Sequence, residues 1–300
     1  MNSPLDRRQF LKFSGAASLG FLGLHRLAAF NRPIAPKIGY GDLLPDPANI
    51  LSLPKGFSYK IISRRGDTMT DGLLVPGKAD GMATFRADKD RTILIRNHEV
   101  AAGDAKEGAF GPAYEQLGKL SRESFYDYGK GEKPSLGGTT TLVYNHRTQT
   151  VETEYLSLAG TNRNCAGGRT PWGSWLTCEE DVTKPGQTAE QDHGYVFEVP
   201  ASTKPQLAAP LPLKAMGRFN HEAVCVDPRT GIVYLTEDDS AGLIYRFLPA
   251  QKGKLAKGGR LQALAVRGQK SYDTRNWQSL QVPKLPVNKL LETEWIDMDN

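Results

Sequence analysis

Short β-rich runs recur along this chain, and behind residue 29 almost nothing with a helical period interrupts them. They cover residues 57–63, 92–96, 139–144, 151–158, 174–178, 194–199, 223–226, 232–236, 243–247 and 260–266. Turn chemistry separates them. Asn145-His146-Arg147 joins one pair and Asp227-Pro228-Arg229-Thr230-Gly231 another, which predicts antiparallel hairpins. The exception is 114–124, where Leu117 and Leu120 are spaced for a helix. An all-β chain of this kind forms a sandwich, a barrel or a propeller. Hairpins at intervals compatible with blades of about 40–45 residues favour the propeller. Polar triplets at strand ends agree: Asn97-His98-Glu99 and Asn220-His221-Glu222 are identical, and Glu179-Glu180 and Glu237-Asp238-Asp239 follow two further strands. In a propeller such positions converge on the axis. A propeller is therefore expected, with the pattern stopping at Trp295-Ile296-Asp297, short of a full six-blade closure, as in a chain truncated at its C-terminus.

The N-terminus predicts export. Asp6-Arg7-Arg8-Gln9-Phe10-Leu11-Lys12 matches the twin-arginine signal. Residues 13–24 are apolar but fall short of the roughly 20 needed to span a bilayer, and they suit a signal h-region. Ala28 and Ala29 offer a cleavage site. Residues 1–29 are thus expected to be a signal peptide and 30–300 the mature domain. That reading implies the twin-arginine export machinery as a partner, a periplasmic or secreted location, and no stable membrane anchor after processing. The twin-arginine route carries folded chains, which suits a metal loaded before competing ions are met.

Removing residues 1–29 lowers the totals from 38 basic and 33 acidic residues to 34 and 32, so net charge falls from +5 to +2. The basicity belongs mostly to the signal, and no clustered basic face points to nucleic acid. A monomer is expected. Of the three cysteines, Cys178 and Cys225 sit in apolar strand contexts that predict buried thiols. Cys165 lies in a polar, Gly-rich loop, 160–168. It leads through Thr170-Pro171-Trp172-Gly173-Ser174-Trp175 to Cys178-Glu179-Glu180, so a thiol and two carboxylates share one compact unit. A thiolate beside carboxylates suits a transition metal, whereas carboxylates alone suit calcium. Glu99, Glu179, Glu180, Glu222, Glu237 and Asp238 are the candidate oxygen ligands. His98 and His221 are expected to pack or to orient ligands rather than bind metal.

Several motifs, in order, cover most of residues 40–250: Asp80-Gly81-Met82, Arg96-Asn97-His98-Glu99, Gly137-Gly138-Thr139-Thr140, the long run from Asn164 through Glu180, Gly217-Arg218-Phe219-Asn220-His221-Glu222 and Tyr234-Leu235-Thr236-Glu237-Asp238. With the twin-arginine signal, they resemble the PhoX family of alkaline phosphatases. The resemblance implies a six-bladed propeller holding calcium ions and an iron centre. It implies Cys165 as an iron ligand, Glu99, Glu180 and Glu222 as metal ligands, and Asp80, Glu179, Glu237 and Asp238 as further ones. The activity implied is release of phosphate from small phosphomonoesters, with Cys165, Glu180 and Arg218 in the catalytic machinery. Arg218 or Arg96 would supply a guanidinium to the phosphate. The alternatives are a propeller phosphodiesterase or lactonase, and a non-catalytic, calcium-braced propeller that binds another protein or a polymer.

Overall fold

The computed structural model describes residues 39–298 apart from 132, 187 and 281–283. The twin-arginine motif and the expected signal peptide lie outside the described residues. The chain divides into two compact units, Met1–Ile61 and Ile62–Asn300. In the first, described from Gly39, β1 (Leu43–Leu44) pairs antiparallel with β2 (Leu53–Pro54). Asp46 closes the connection: its carboxylate accepts from the N–H groups of Ala48, Ile50 and Leu51 and from the Tyr59 hydroxyl. The run at 57–63 forms no strand, and Phe57, Tyr59, Ile61 and Ile62 stay exposed. Apolar alternation makes a strand only where a sheet edge accepts it.

The second unit is all-β with short 3-10 turns. Its strands are β3 (Ala79–Arg86), β4 (Arg91–His98), β5 (Gly137–Asn145), β6 (Thr150–Thr161), β7 (Asn164–Arg169), β8 (Ser174–Glu179) and β9 (Val196–Pro200). They continue with β10 (His221–Val226), β11 (Val233–Glu237), β12 (Ile244–Pro249), β13 (Gly259–Val266) and β14 (Thr293–Asp297). They form three antiparallel meanders in chain order: β3-β4-β5-β6, β7-β8-β9 and β10-β11-β12-β13-β14. Among the described residues these sheets do not close into a ring. The two turn segments named above behave as expected. Asn145 Oδ1 accepts from the N–H groups of Arg147 and Thr148 between β5 and β6. Asp227 does the same for Arg229 N–H and the Thr230 hydroxyl between β10 and β11.

Two further sequence expectations are corrected. Residues 114–124 hold two 3-10 turns, Leu117–Lys119 and Arg122–Ser124, instead of an α-helix. A spacing of three is also the 3-10 period, and Leu117 and Leu120 use it to pack beside Met69, Leu73 and Phe110. The Gly-rich segment at Cys165 is strand β7, not a loop.

The β7-β8-β9 sheet is buried on both faces because its residues alternate. Trp175, Phe197 and Val199 pack with Phe85, Ile93, Ile95 and Leu158 of the first meander. Leu176, Cys178 and Val196 pack with Val224, Val233, Leu235 and Phe247 of the third. The leading strands of the three meanders, β3, β7 and β10, are neighbours. Two glycines permit this. A Cβ on Gly81 would lie 2.7 Å from Ala166 Cα and 2.9 Å from the Cys165 carbonyl oxygen, and one on Gly168 would lie 2.1 Å from the Val224 carbonyl oxygen. The motifs that start or end these strands are thereby drawn together.

Candidate metal centre

Cys165 is the second residue of β7 and is only 4% exposed. Polar fasteners hold this Gly-rich strand. Asn164 Nδ2 donates to Thr177 Oγ1 while its Oδ1 accepts from Thr161 Oγ1. Asn97, wholly buried in β4, donates through Nδ2 to the carbonyls of Cys165 (3.0 Å) and Ala166 (2.7 Å). Its Oδ1 accepts from Trp175 Nε1 and Thr177 Oγ1, both at 2.8 Å. The Cys165 thiol turns toward β10 and donates to the His221 carbonyl at 3.3 Å.

Glu180 follows β8 and Glu222 is the second residue of β10. One ligand atom from each of Cys165, Glu180 and Glu222 lies within 4.8 Å of the other two. Asp80 in β3, Glu99 just after β4 and Asp238 just after β11 are near enough to act on these groups electrostatically. Backbone hydrogen bonds set two of them: Glu99 N–H donates to the Lys78 carbonyl and Asp238 N–H to the Asn220 carbonyl.

Crowded anions show in the protonation. Burial, a hydrogen bond with Asp238 and the charge of Glu99 hold the Glu180 carboxyl up to about 7, with Arg163 opposing. Burial, then Asp238, Asp80 and Glu99, raise Glu222, while the Cys165 thiol beside it works the other way. Asp80 is raised by burial and then by Glu99. Burial pushes the Cys165 thiol far up, and Glu222 and Glu180 add to it. Such a cluster retains protons that a metal ion would replace, because metal ligands bind deprotonated. The donor set fits: a thiol with two carboxylates for a transition metal, and further carboxylates for a hard cation.

A family model described as alkaline phosphatase PhoX matches residues 38–300. The chain belongs to the PhoX family. No match is found among curated proteins. Among solved structures, the chain is similar to Pseudomonas fluorescens PhoX in complex with vanadate, a transition state analogue, with 18% identity and a TM-score of 0.46. That match covers 72% of this chain and 53% of the other, so the chain spans about half the length of the solved protein.

Other candidates in this PhoX family chain lie elsewhere or carry other contacts. Glu179 is wholly buried and turned away from the cluster, because adjacent residues of a strand face opposite sides. Its carboxylate accepts from the N–H groups of Asn162, Gly194 and Tyr195 and contacts His193 Nδ1 at 2.7 Å. Glu237 accepts from Leu243 N–H and the Tyr245 hydroxyl. It lines a 440 Å³ cavity with Lys214, Arg218, Phe219 and Tyr245. Arg218 donates through Nη2 to the Val182 and Thr183 carbonyls, and its buried Nε faces Asp192 Oδ1 at 3.7 Å, an ion pair beyond hydrogen-bond length. Arg96 is 9% exposed and is tied to Glu154, Thr140 and Ser63, so it binds β4 to β5 and β6 instead of facing the cluster.

Both ring nitrogens of His98 are occupied, by the Gly77 carbonyl and Thr140 Oγ1, and burial holds it neutral with a pKa of about 3. His221, likewise lowered to about 3 by burial, lies against Phe219 with ring centroids 3.6 Å apart and the rings tilted by 32°. The two Asn-His-Glu copies are not equivalent: one closes β4 and the other opens β10. Cys225 is exposed, contrary to expectation, because it faces outward on β10 opposite Tyr234.

Two features escaped the sequence reading. Arg163 contacts both Glu99 and Glu180. Its signal was available, since it is the one cation in the Gly-rich segment that precedes the paired glutamates. The second is a buried trio, Asp127–His193–Glu179, with His193 Nε2 3.1 Å from Asp127 Oδ2. Neither Asp127 nor His193 lies in a recognisable motif, so only the fold reveals it.

Proposed function

We propose that this chain is a metal-dependent phosphomonoesterase of the PhoX type, with calcium and iron at the cluster described above. The observation that carries the reading is the convergence of one buried thiol and two carboxylates within 4.8 Å, ringed by further acids, in a chain of this family. The metals would neutralise phosphate oxygens and activate an oxygen nucleophile. Cys165, Glu180 and Glu222 would hold the softer ion, and Asp80, Glu99 and Asp238 would supply oxygens to harder ones.

The chain's own residues do the positioning. Asn97 fixes the backbone of Cys165 and Ala166 through two hydrogen bonds, so the thiol enters the cluster at a set depth. Arg218 sits at the wall of the 440 Å³ cavity, its Nε 3.7 Å from Asp192 Oδ1. There it would bind an acceptor oxygen of the ester, while Tyr195, Tyr245 and Lys214 receive the leaving group. Burial around Cys165 and Glu180 lowers the local dielectric, which strengthens each such contact. The wider architecture proposed is a six-bladed propeller of which the three meanders are part. Twin-arginine export to the periplasm is proposed with it, on the Arg7-Arg8 motif.

Elemental analysis of the exported protein, paired with turnover of an aryl phosphate, tests the proposal. Iron and calcium accompanied by hydrolysis, both lost in Cys165→Ala, are the expected result. Calcium without iron or turnover would leave a calcium-braced scaffold and overturn the phosphatase.

A further inference from the structure

Arg163 is built into the acidic cluster from both sides. It occupies the turn between β6 and β7 with φ +47, a left-handed conformation uncommon for a residue with a side chain. Its N–H donates to the Val100 carbonyl, next to Glu99, and its own carbonyl accepts from Glu180 N–H. The backbone thus straddles the two segments that carry the acids. The guanidinium then reaches both: Nε and Nη2 lie 3.1 and 2.7 Å from Glu99 Oε1, and Nη2 lies 2.9 Å from Glu180 Oε2. An arginine does not lose its proton in a protein, so this positive charge is permanent.

We propose that Arg163 is a resident counter-cation that bridges Glu99 and Glu180 and competes with divalent metal for the cluster. Glu180 is the shared element, because the same carboxylate faces Arg163 on one side and Cys165 with Glu222 on the other. Cation affinity in carboxylate sites is set by the number of charges and the rigidity of the ligands. A fixed guanidinium subtracts one charge and ties up an oxygen of each of two acids. It therefore weakens divalent binding while holding the acids together by itself. Arg163 is in this sense a residue that sets metal affinity and number, and no step of hydrolysis is assigned to it.

The two effects have opposite signs, and that separates this role from a merely structural one. The inference rests on reading the cluster as a cation site, and its test is binding and stability, not turnover. Calcium and manganese are titrated calorimetrically into the chelated full chain, and its melting temperature is measured in chelator. Wild type is compared with Arg163→Met, which keeps the stem but not the charge, and Arg163→Gln, which keeps hydrogen-bond donors. Both variants should melt lower in chelator yet bind the metal at least about tenfold more tightly or with an added equivalent, as expected when a like charge at contact range is removed. Arg163→Lys, which keeps the charge, should stay near wild type. Equal or weaker binding in whichever of the two neutral variants folds would overturn the inference alone. No binding by the wild type would overturn the cation site itself.

Discussion

The side-chain amide of Asn97 donates to the backbone carbonyl of Cys165 at 3.0 Å, across two sheets that share no strand hydrogen bonds. The same side chain serves Ala166, Trp175 and Thr177, so one buried residue meets three buried partners and the half-buried Ala166. Asn97→Ala removes all four bonds, at about 1–3 kcal/mol for each buried group left unsatisfied. We expect a loss of roughly 3 kcal/mol or more in urea unfolding, together with reduced metal uptake, since the backbone at Cys165 loses its anchor. A loss under about 1 kcal/mol would mean that water replaces the amide, contrary to the burial of Asn97.

His193 gives the protein an alkaline limit. Both ring nitrogens face carboxylate oxygens that cannot donate, so the imidazolium is the form that satisfies them. Burial opposes the charge, but the hydrogen bonds and charges of Asp127 and Glu179 raise its pKa from 6.5 to about 9. A group raised on folding contributes stability that is complete below its unfolded pKa and is lost as pH rises through the folded one. The His193 contribution should therefore be flat below pH 6.5, fall between 6.5 and about 9, and level off above it. The loss should be on the order of 3 kcal/mol. His193→Gln should remove this slope in urea titrations across the same range. A slope that survives would assign it to another group.

Most strands were legible because β-branched alternation and Asx turns act locally. The missed ones lack that signal. Ala79-Asp80-Gly81-Met82 opens β3 with mostly exposed residues, and β7 is rich in glycine because it must lie close to β3 and β10. The acids at the site could be read as a set, but not sorted. Glu179 and Glu180 are neighbours in sequence, and only the pleat at the end of β8 sends one into the core and the other into the cluster. The repeated Asn-His-Glu looked like two equivalent corners. Its copies instead sit at opposite ends of their strands, and Glu99 and Glu222 meet through the stacking of the meanders.

Gly168 tests that stacking. An added methyl would meet the Val224 carbonyl oxygen at 2.1 Å, with the Val224 side chain behind it at 2.7 Å. Neither neighbour is a flexible chain end, so β7 and β10 must part. Gly168→Ala should cost about 2 kcal/mol or more and should lower metal content, because Cys165 and Glu222 lie on the two strands that separate. Thermal melts and elemental analysis read both effects. An unchanged melt would mean the strands sit farther apart than described.

The three thiols should separate cleanly by reactivity. The attacking species is the thiolate, and access decides how much of it a reagent meets. Cys225 is exposed on the outer face of β10, whereas Cys178 is wholly buried and Cys165 nearly so. Burial raises the Cys165 and Cys178 thiols well above their usual range, which suppresses their thiolates further. In chelated native protein near pH 7.5, a disulfide reagent should modify Cys225 at once and leave the other two until unfolding. Mass spectrometry of the labelled peptides identifies the site. Fast labelling of Cys165 would show that β7 opens away from β10 on the timescale of the reaction, and a metal that suppressed such labelling would mark the thiol as its ligand.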